Sequence, residues 1–122
     1  MRSLIVTIVL CCVMFLAAAT NFVYVNRLAD AMNEILDAIP SIDDPMSVQK
    51  ADELCKKWEK NSPIVGLSVG FLTVDKLTEY CQTLRSCAEV GDVYGYYTAL
   101  TLIRDSINDI KRLEKISIEN LF

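Results

Sequence analysis

The chain has 122 residues, five cysteines, no histidine and a net charge of −4 at pH 7. The absence of histidine removes the commonest general base, the usual serine and cysteine triads and most zinc sites. The acidic balance argues against nucleic acid as a partner and against attraction to anionic lipid headgroups, because both are negatively charged. We therefore expect no enzymatic activity, no cofactor and no metal site.

The first element in chain order is an uncharged stretch from Leu4 to Val25. As a helix it would be about 33 Å long, close to the hydrocarbon thickness of a bilayer. One interpretation is an uncleaved transmembrane anchor over residues 1–25. The other is an export signal cleaved after Ala19, since Arg2 supplies a basic start and a run of alanines suits a signal peptidase. The apolar run continues past the alanines, which favours the anchor.

The short basic start favours a cytoplasmic N-terminus and an extracytoplasmic location for residues 26–122. The 12 basic residues less Arg2, against all 16 acidic residues, give that portion a net charge of −5. We predict a single-pass protein of the cytoplasmic membrane whose C-terminal domain lies outside the cytoplasm.

Beyond the anchor, apolar residues recur on one side of residues 26–39, which predicts an amphipathic stalk helix. This helix should end before Pro40, because proline disfavours a helical residue ahead of it. Residues 40–45 are then a linker, and residues 46–122 a helical domain. The predicted class is all-α: a single N-terminal transmembrane helix with its stalk, then a small antiparallel three-helix domain, since short turns make consecutive helices antiparallel.

Helix caps predict the bounds of the three helices in this domain. Asp44, which precedes a proline, is a good helix start, and the sequence NSP at residues 61–63 repeats that signal for the second helix. Gly91 suits a left-handed cap at the end of the second helix, and Asp92 caps the third. Residues 116–122 are expected to be a tail that packs back against the bundle.

Residues 64–74 are open to two interpretations. Their β-branched residues and alternating pattern are typical of a strand, but the sequence contains no second strand-like run with which it could pair. Considered as a helix, the segment places apolar residues every three or four positions from Leu67 through Phe71 to Ala88. We predict the helix, with these positions in the core.

Three cysteines lie beyond the anchor. Cys55 and Cys81 fall on the inward stripes of adjacent predicted helices, so they are candidates for a disulfide if the helix register brings them together. The alternative is that both, together with Cys87, are small buried apolar residues, which is commoner for cysteines on apolar stripes.

Aromatic residues are concentrated where the last two predicted helices begin or meet. Trp58, Phe71 and Tyr96 are expected to fill the core. Tyr94 and Tyr97 are candidates for a partner-binding surface, because tyrosine combines an apolar face with a polar tip.

The order of elements and several short motifs resemble DUF4363, a family of small bacterial proteins of unknown function. The motifs are KKWEK around Trp58, VDKLTEY, and the closing ENLF, in which Asn120 and Phe122 are further candidates for partner contact. The resemblance covers nearly the whole chain, although family members often carry a histidine near the position of Phe71. It implies a membrane-tethered helical domain and a membrane partner of the YetF-like type.

These observations predict a non-enzymatic accessory protein whose extracytoplasmic domain binds another membrane or envelope protein. The alternative is a secreted helical protein, cleaved after Ala19, that binds a small apolar ligand between its helices. A third option is an anchor that associates with itself, and the sequence leaves the oligomeric state open.

Overall fold

The structure is a computed structural model that describes residues 1–121, with side chains described for residues 1–120. It consists of four α-helices in chain order: α1 (Arg2–Ala38), α2 (Ser47–Val69), α3 (Phe71–Val90) and α4 (Val93–Leu121). No β-strand occurs within the described range, which confirms the all-α class and the helical interpretation of residues 64–74.

Helix α1 is one unbroken helix of 37 residues whose two halves have different surroundings. The large apolar side chains from Leu4 to Leu16 are exposed. The second half enters the bundle and buries one apolar stripe, formed by Val25, Leu28, Ala29, Met32 and Leu36. The segment expected to be a stalk is therefore a core helix, and four helices share the core in place of the expected three.

Contacts between neighbouring helices join residues in reverse chain order, so the paired helices run antiparallel. We call the end at which residues 4–19 leave the bundle the proximal end; it also holds the α2–α3 turn and the end of α4. The distal end holds the α1–α2 loop and the α3–α4 turn. The pairings are Cys55–Cys81 and Trp58–Thr78 between α2 and α3, and Asp30–Lys111 and Asp37–Arg104 between α1 and α4.

The predicted cap is present at the start of α4 but not at the start of α2. Helix α2 begins at Ser47 with no side-chain cap, and Asp44 Oδ1 instead accepts the backbone N–H of Met46 at 2.8 Å in the turn before the helix. Gly91 has φ 77°, in the left-handed region that glycine adopts without strain. Asp92 Oδ1 then accepts the N–H of Gly95 at 3.0 Å. The α3–α4 turn is therefore confirmed as predicted.

The predicted boundary at residues 61–63 is wrong, because α2 and α3 meet at Gly70. Pro63 lies inside α2, where its missing N–H would leave the Glu59 carbonyl without its helical partner. The Ser62 hydroxyl donates to that carbonyl at 3.3 Å, so the helix continues. It breaks at Gly70, whose φ of 91° and ψ of 151° form a conformation nearly restricted to glycine.

Two further expectations are corrected at the proximal end. Residues 116–121 continue α4 as helix and are not a separate tail, whereas Phe122 lies outside the described residues. Leu67 and Phe71, expected in the core, are 81% and 63% exposed. The apolar residues do have helical spacing, but Leu67 and Phe71 flank the turn at Gly70, where the other helices do not bury them.

Two aromatic residues are confirmed in the core. Trp58 and Tyr96 are 1% and 0% exposed. The Trp58 indole N–H donates to Thr78 Oγ1 at 2.9 Å, and the Tyr96 hydroxyl donates to the carbonyl of Pro40 at 3.0 Å. Each ring thus buries its apolar surface while its polar group keeps a partner, which makes both rings large contributors to stability.

The substitution Trp58→Ala should lower the free energy of unfolding by about 3–5 kcal/mol, because it leaves a cavity in the core. Trp58→Phe fills most of that space and should cost less, with about 1 kcal/mol of the loss coming from the missing hydrogen bond. Urea denaturation of the full chain in mild detergent measures both. Leu72→Ala, at a residue that is 72% exposed, is the control and should change stability by less than about 0.5 kcal/mol. Equal effects at the two positions would contradict the burial of Trp58.

Candidate functional site

The α2–α3 turn lies beside the apolar half of α1. The Tyr24 hydroxyl donates to Asn61 Oδ1 and sets α2 alongside α1 at that level. At 1.5 Å per residue, Gly70 lies about 13 Å further along α2, in the direction of the N-terminus of α1. Ile64 and Val13 line the same groove between the two helices. The turn is therefore level with exposed apolar residues of α1.

We call residues 64–72 the apolar turn. No charged residue occurs between Lys60 and Asp75. The Phe71 ring covers Gly66, where an added Cβ would come within 2.9 Å of the ring. An exposed apolar patch of this kind marks contact with lipid or with protein. Its large exposed side chains are Ile64, Leu67, Phe71 and Leu72.

An open groove between α1 and α2 changes from apolar to basic along its length. Its lower part, nearer the N-terminus of α1, has a volume of about 580 Å³, and its upper part has a volume of about 510 Å³. Thr20 and Tyr24 line both parts, so the two parts adjoin at the level of these residues. The other lining residues include Val13, Leu16, Ala17 and Ile64 in the lower part, and Arg27, Lys57 and Asn61 in the upper part.

A buried carboxylate lies where α4 meets this level of α1. Glu114 is 4% exposed, and its Oε1 accepts a hydrogen bond from Asn21 Nδ2 at 3.1 Å. Its Oε2 is buried and has no hydrogen-bond partner among the described residues. Burial of an ionised carboxylate is costly unless hydrogen bonds compensate it. The Asn21 contact supplies one such bond and holds the end of α4 against α1.

The exposed tyrosines lie at the distal end. We call Val90, Val93, Tyr94 and Tyr97 the tyrosine patch, and all four are exposed. Val93, Tyr94 and Tyr97 line a shallow groove of about 560 Å³. The Tyr97 hydroxyl donates to Ser41 Oγ at 3.3 Å, which fixes this ring against the α1–α2 loop. The patch therefore combines one fixed and one freely exposed tyrosine ring.

The structure separates the predicted partner-binding residues. Tyr94 and Tyr97 lie one turn apart at the start of α4. Asn120 is exposed near the end of the same helix, about 35 Å away at 1.5 Å per residue. Phe122 lies outside the described residues. Of the three candidates that the structure describes, only the two tyrosines form a common surface.

Cys55 and Cys81 meet between α2 and α3, where their stripes predicted. Cys55 Sγ donates to the Cys81 carbonyl at 3.0 Å, and both residues are fully buried. All five cysteines of the chain are free thiols in this structure. The hydrogen bond with the Cys55 thiol, together with burial, raises the pKa of the Cys81 thiol. The disulfide stays a prediction, and the geometry shows the pair as core residues.

Comparison with known proteins returns no match: no protein-family model matches the chain, and no match is found among curated proteins or solved structures. Within residues 1–121, no group of three or more histidine, cysteine, aspartate or glutamate side chains is placed to hold a metal ion. The interpretation of the site therefore rests on its geometry.

Sequence reasoning missed the apolar turn and the groove beside it. Residues 64–74 were assigned to a core helix because their apolar residues have helical spacing. A helix at the edge of a bundle normally keeps a charged face towards water, however, and this segment has no charge on any side. That missing polar face is the signal that indicates an exposed apolar end.

Burial predicts that Cys55 and Cys81 react slowly. In the folded full chain, a small alkylating reagent should modify both at least about 100-fold more slowly than after denaturation, because reaction requires the bundle to open. Peptide-resolved mass spectrometry of a time course measures each site. A cysteine introduced by Gln82→Cys, at an exposed position of α3, is the control and should react at the denatured rate. Similar rates at all three positions would show that the thiols are accessible.

Proposed function

We propose that this is a non-enzymatic accessory protein, anchored in the cytoplasmic membrane by α1, whose helical bundle binds another membrane or envelope protein outside the cytoplasm. The supporting observation is the exposed half of α1. Its most apolar 18-residue window has a mean hydropathy of 2.5, and none of that window is buried by the rest of the chain. Exposure of apolar surface to water costs roughly 25 cal/mol per Å², and a bilayer removes that cost.

Exposure along α1 indicates where the membrane would end. Exposed apolar side chains extend from Leu4 to Leu16, whereas Val25 already lies in the bundle core. A hydrocarbon span over residues 3–20 would be about 27 Å long, which is at the short end of membrane-spanning helices. By the same count, Gly70 would lie about 7 Å inside this boundary, so the exposed side chains of the apolar turn would contact lipid.

The tyrosine patch is the surface that we propose for a protein partner. Tyr94 lies 20 residues before Glu114 on α4, which puts it about 30 Å from the proposed membrane boundary. At that distance lipid contact is excluded, and an exposed aromatic surface suits protein recognition. The resemblance to DUF4363 extends this proposal to a membrane partner of the YetF-like type.

The core space described beside Trp58 is too small for the apolar ligand of the secreted alternative. The core space beside Trp58 and Met32 has a volume of about 10 Å³, whereas small-molecule pockets are typically about 300–1,000 Å³. Cleavage after Ala19 would nevertheless leave the core complete, because the buried stripe of α1 begins at Val25.

An uncleaved anchor predicts an intact mass that includes the whole N-terminal segment, in material that resists extraction from membranes at alkaline pH. Protease added to intact cells should digest the bundle and leave the anchor. A mature chain that begins at Thr20 and is recovered in the soluble fraction would support the secreted form. A bundle that survives in whole cells but is digested in inverted vesicles would reverse the proposed orientation.

Crosslinking tests the partner surface. A photoreactive amino acid in place of Tyr94 or Tyr97 should yield one discrete crosslinked species in intact cells, because both rings would lie in the interface. The same amino acid in place of Gln82, exposed on α3, is the matched control and should yield none. Equal products at all three positions would contradict a specific surface, and a product of twice the mass of the chain would indicate self-association.

A further inference from the structure

We propose that the groove between α1 and α2 binds one anionic phospholipid from the surrounding leaflet. An acyl chain lies in the lower part of the groove, and the headgroup phosphate lies between Arg27 and Lys57. This inference rests on the proposed anchoring of α1 in a membrane. It assigns a lipid-binding site to residues that the partner surface does not use.

The lower part of the groove suits an acyl chain. Val13, Leu16 and Ala17 line it from α1, inside the segment proposed to span the hydrocarbon layer. Ile64 lines it from α2 and is itself exposed. The lower part of the groove is continuous with the apolar surface of the segment proposed to span the membrane. The molecules that cover that segment therefore also cover the groove. Its occupant is therefore lipid.

The upper part of the groove suits a phosphate. Arg27 lies three residues beyond Tyr24 on α1, and Lys57 lies four residues before Asn61 on α2, about 5 Å and 6 Å along the helices from the Tyr24–Asn61 hydrogen bond. Both cations therefore flank the groove at one level. Neither forms an ion pair within residues 1–121.

The carboxylates one turn away on the same helices pair with other basic residues. Asp30 on α1 pairs with Lys111 at 2.8 Å, and Glu53 on α2 pairs with Lys50 at 3.3 Å. The net negative charge of the chain argued against anionic headgroups, but charges more than about 8 Å away are largely screened at physiological ionic strength. The charge that a headgroup meets is therefore local, and in this groove it is positive.

The depth of the two basic residues matches a headgroup. Arg27 lies about 10 Å beyond Thr20, the proposed limit of the hydrocarbon span. The polar layer on each side of a bilayer is about 5–7 Å thick, and long basic side chains extend towards it while their stems cover apolar surface. Both charged groups can thus reach a phosphate whose acyl chain lies beside Val13 and Ile64.

Lipid titration of the full chain tests this site. Purified protein in mild detergent is titrated with dioctanoyl phosphatidylglycerol and with dioctanoyl phosphatidylcholine, and bound lipid is counted by native mass spectrometry. We expect one phosphatidylglycerol bound in preference to phosphatidylcholine. The double variant Arg27→Gln with Lys57→Gln should bind it about 30-fold more weakly, the loss expected for two basic residues near a lipid headgroup.

The matched control is the double variant Lys76→Gln with Lys115→Gln. It removes the same charge from exposed residues near the proximal end, on α3 and α4, that do not line the groove. Its affinity should stay within about threefold of the original protein, because screened charges elsewhere contribute little. Equal losses in the two double variants would overturn the site in favour of unspecific charge attraction.

Two further outcomes would also overturn the proposal. One is equal binding of phosphatidylglycerol and phosphatidylcholine. The other is that glycerol phosphate alone stabilises the protein against heat as much as phosphatidylglycerol does, which would show an anion site without a place for an acyl chain. Alkaline extraction of membranes separates this inference from the proposed function. If the chain stays in the membrane but shows no lipid preference, only the groove site is contradicted. If the chain is extracted, the proposed anchoring is contradicted as well.

Discussion

The continuity of α1 is the constraint on which the rest of the structure depends. The helix has no break between the exposed residues before Leu16 and the buried stripe that begins at Val25. The buried half must be covered, because each fully buried Leu or Met side chain contributes about 1.5–3 kcal/mol relative to exposure. Helices α4 and α2 cover it, and α3 closes the other side of the core. The position of the bundle relative to the apolar half of α1 then follows, since both belong to one rigid helix.

The same constraint gives the two ends of the bundle different chemistry. At the proximal end, the apolar turn is level with the apolar half of α1, and unpaired basic residues lie just beyond it. At the distal end, the α1–α2 loop and the α3–α4 turn carry the tyrosine patch together with Asp44 and Asp92, whose carboxylates each accept a backbone N–H. Under the proposed function, one end would contact lipid and the other a protein partner.

Much of the fold could be predicted from local signals, because those signals act over a few residues. Gly91 and Asp92 set the α3–α4 turn, and the helical period of Leu77, Cys81 and Leu84 identified a buried face. The boundary between α2 and α3 could not be predicted in this way: Pro63 indicated a helix start, but the Ser62 hydroxyl replaces the missing hydrogen bond.

The four-helix core was missed because residues 26–39 have the same apolar stripe in a free stalk as in a bundle, and only tertiary packing distinguishes the two. The groove was missed for a related reason, since Arg27 and Lys57 are 30 residues apart in the chain and line the same groove only after folding.

Because α1 is one continuous helix, any tilt of its exposed half also moves the bundle. If α1 spans a bilayer, a change in bilayer thickness alters its tilt, because a spanning helix adjusts its inclination to match the hydrocarbon layer. A tilt of about 20°, the average for membrane helices, would displace a point about 30 Å from the pivot sideways by about 10 Å. The tyrosine patch lies at that distance, so the lateral position of its binding surface would depend on the thickness of the membrane beneath it.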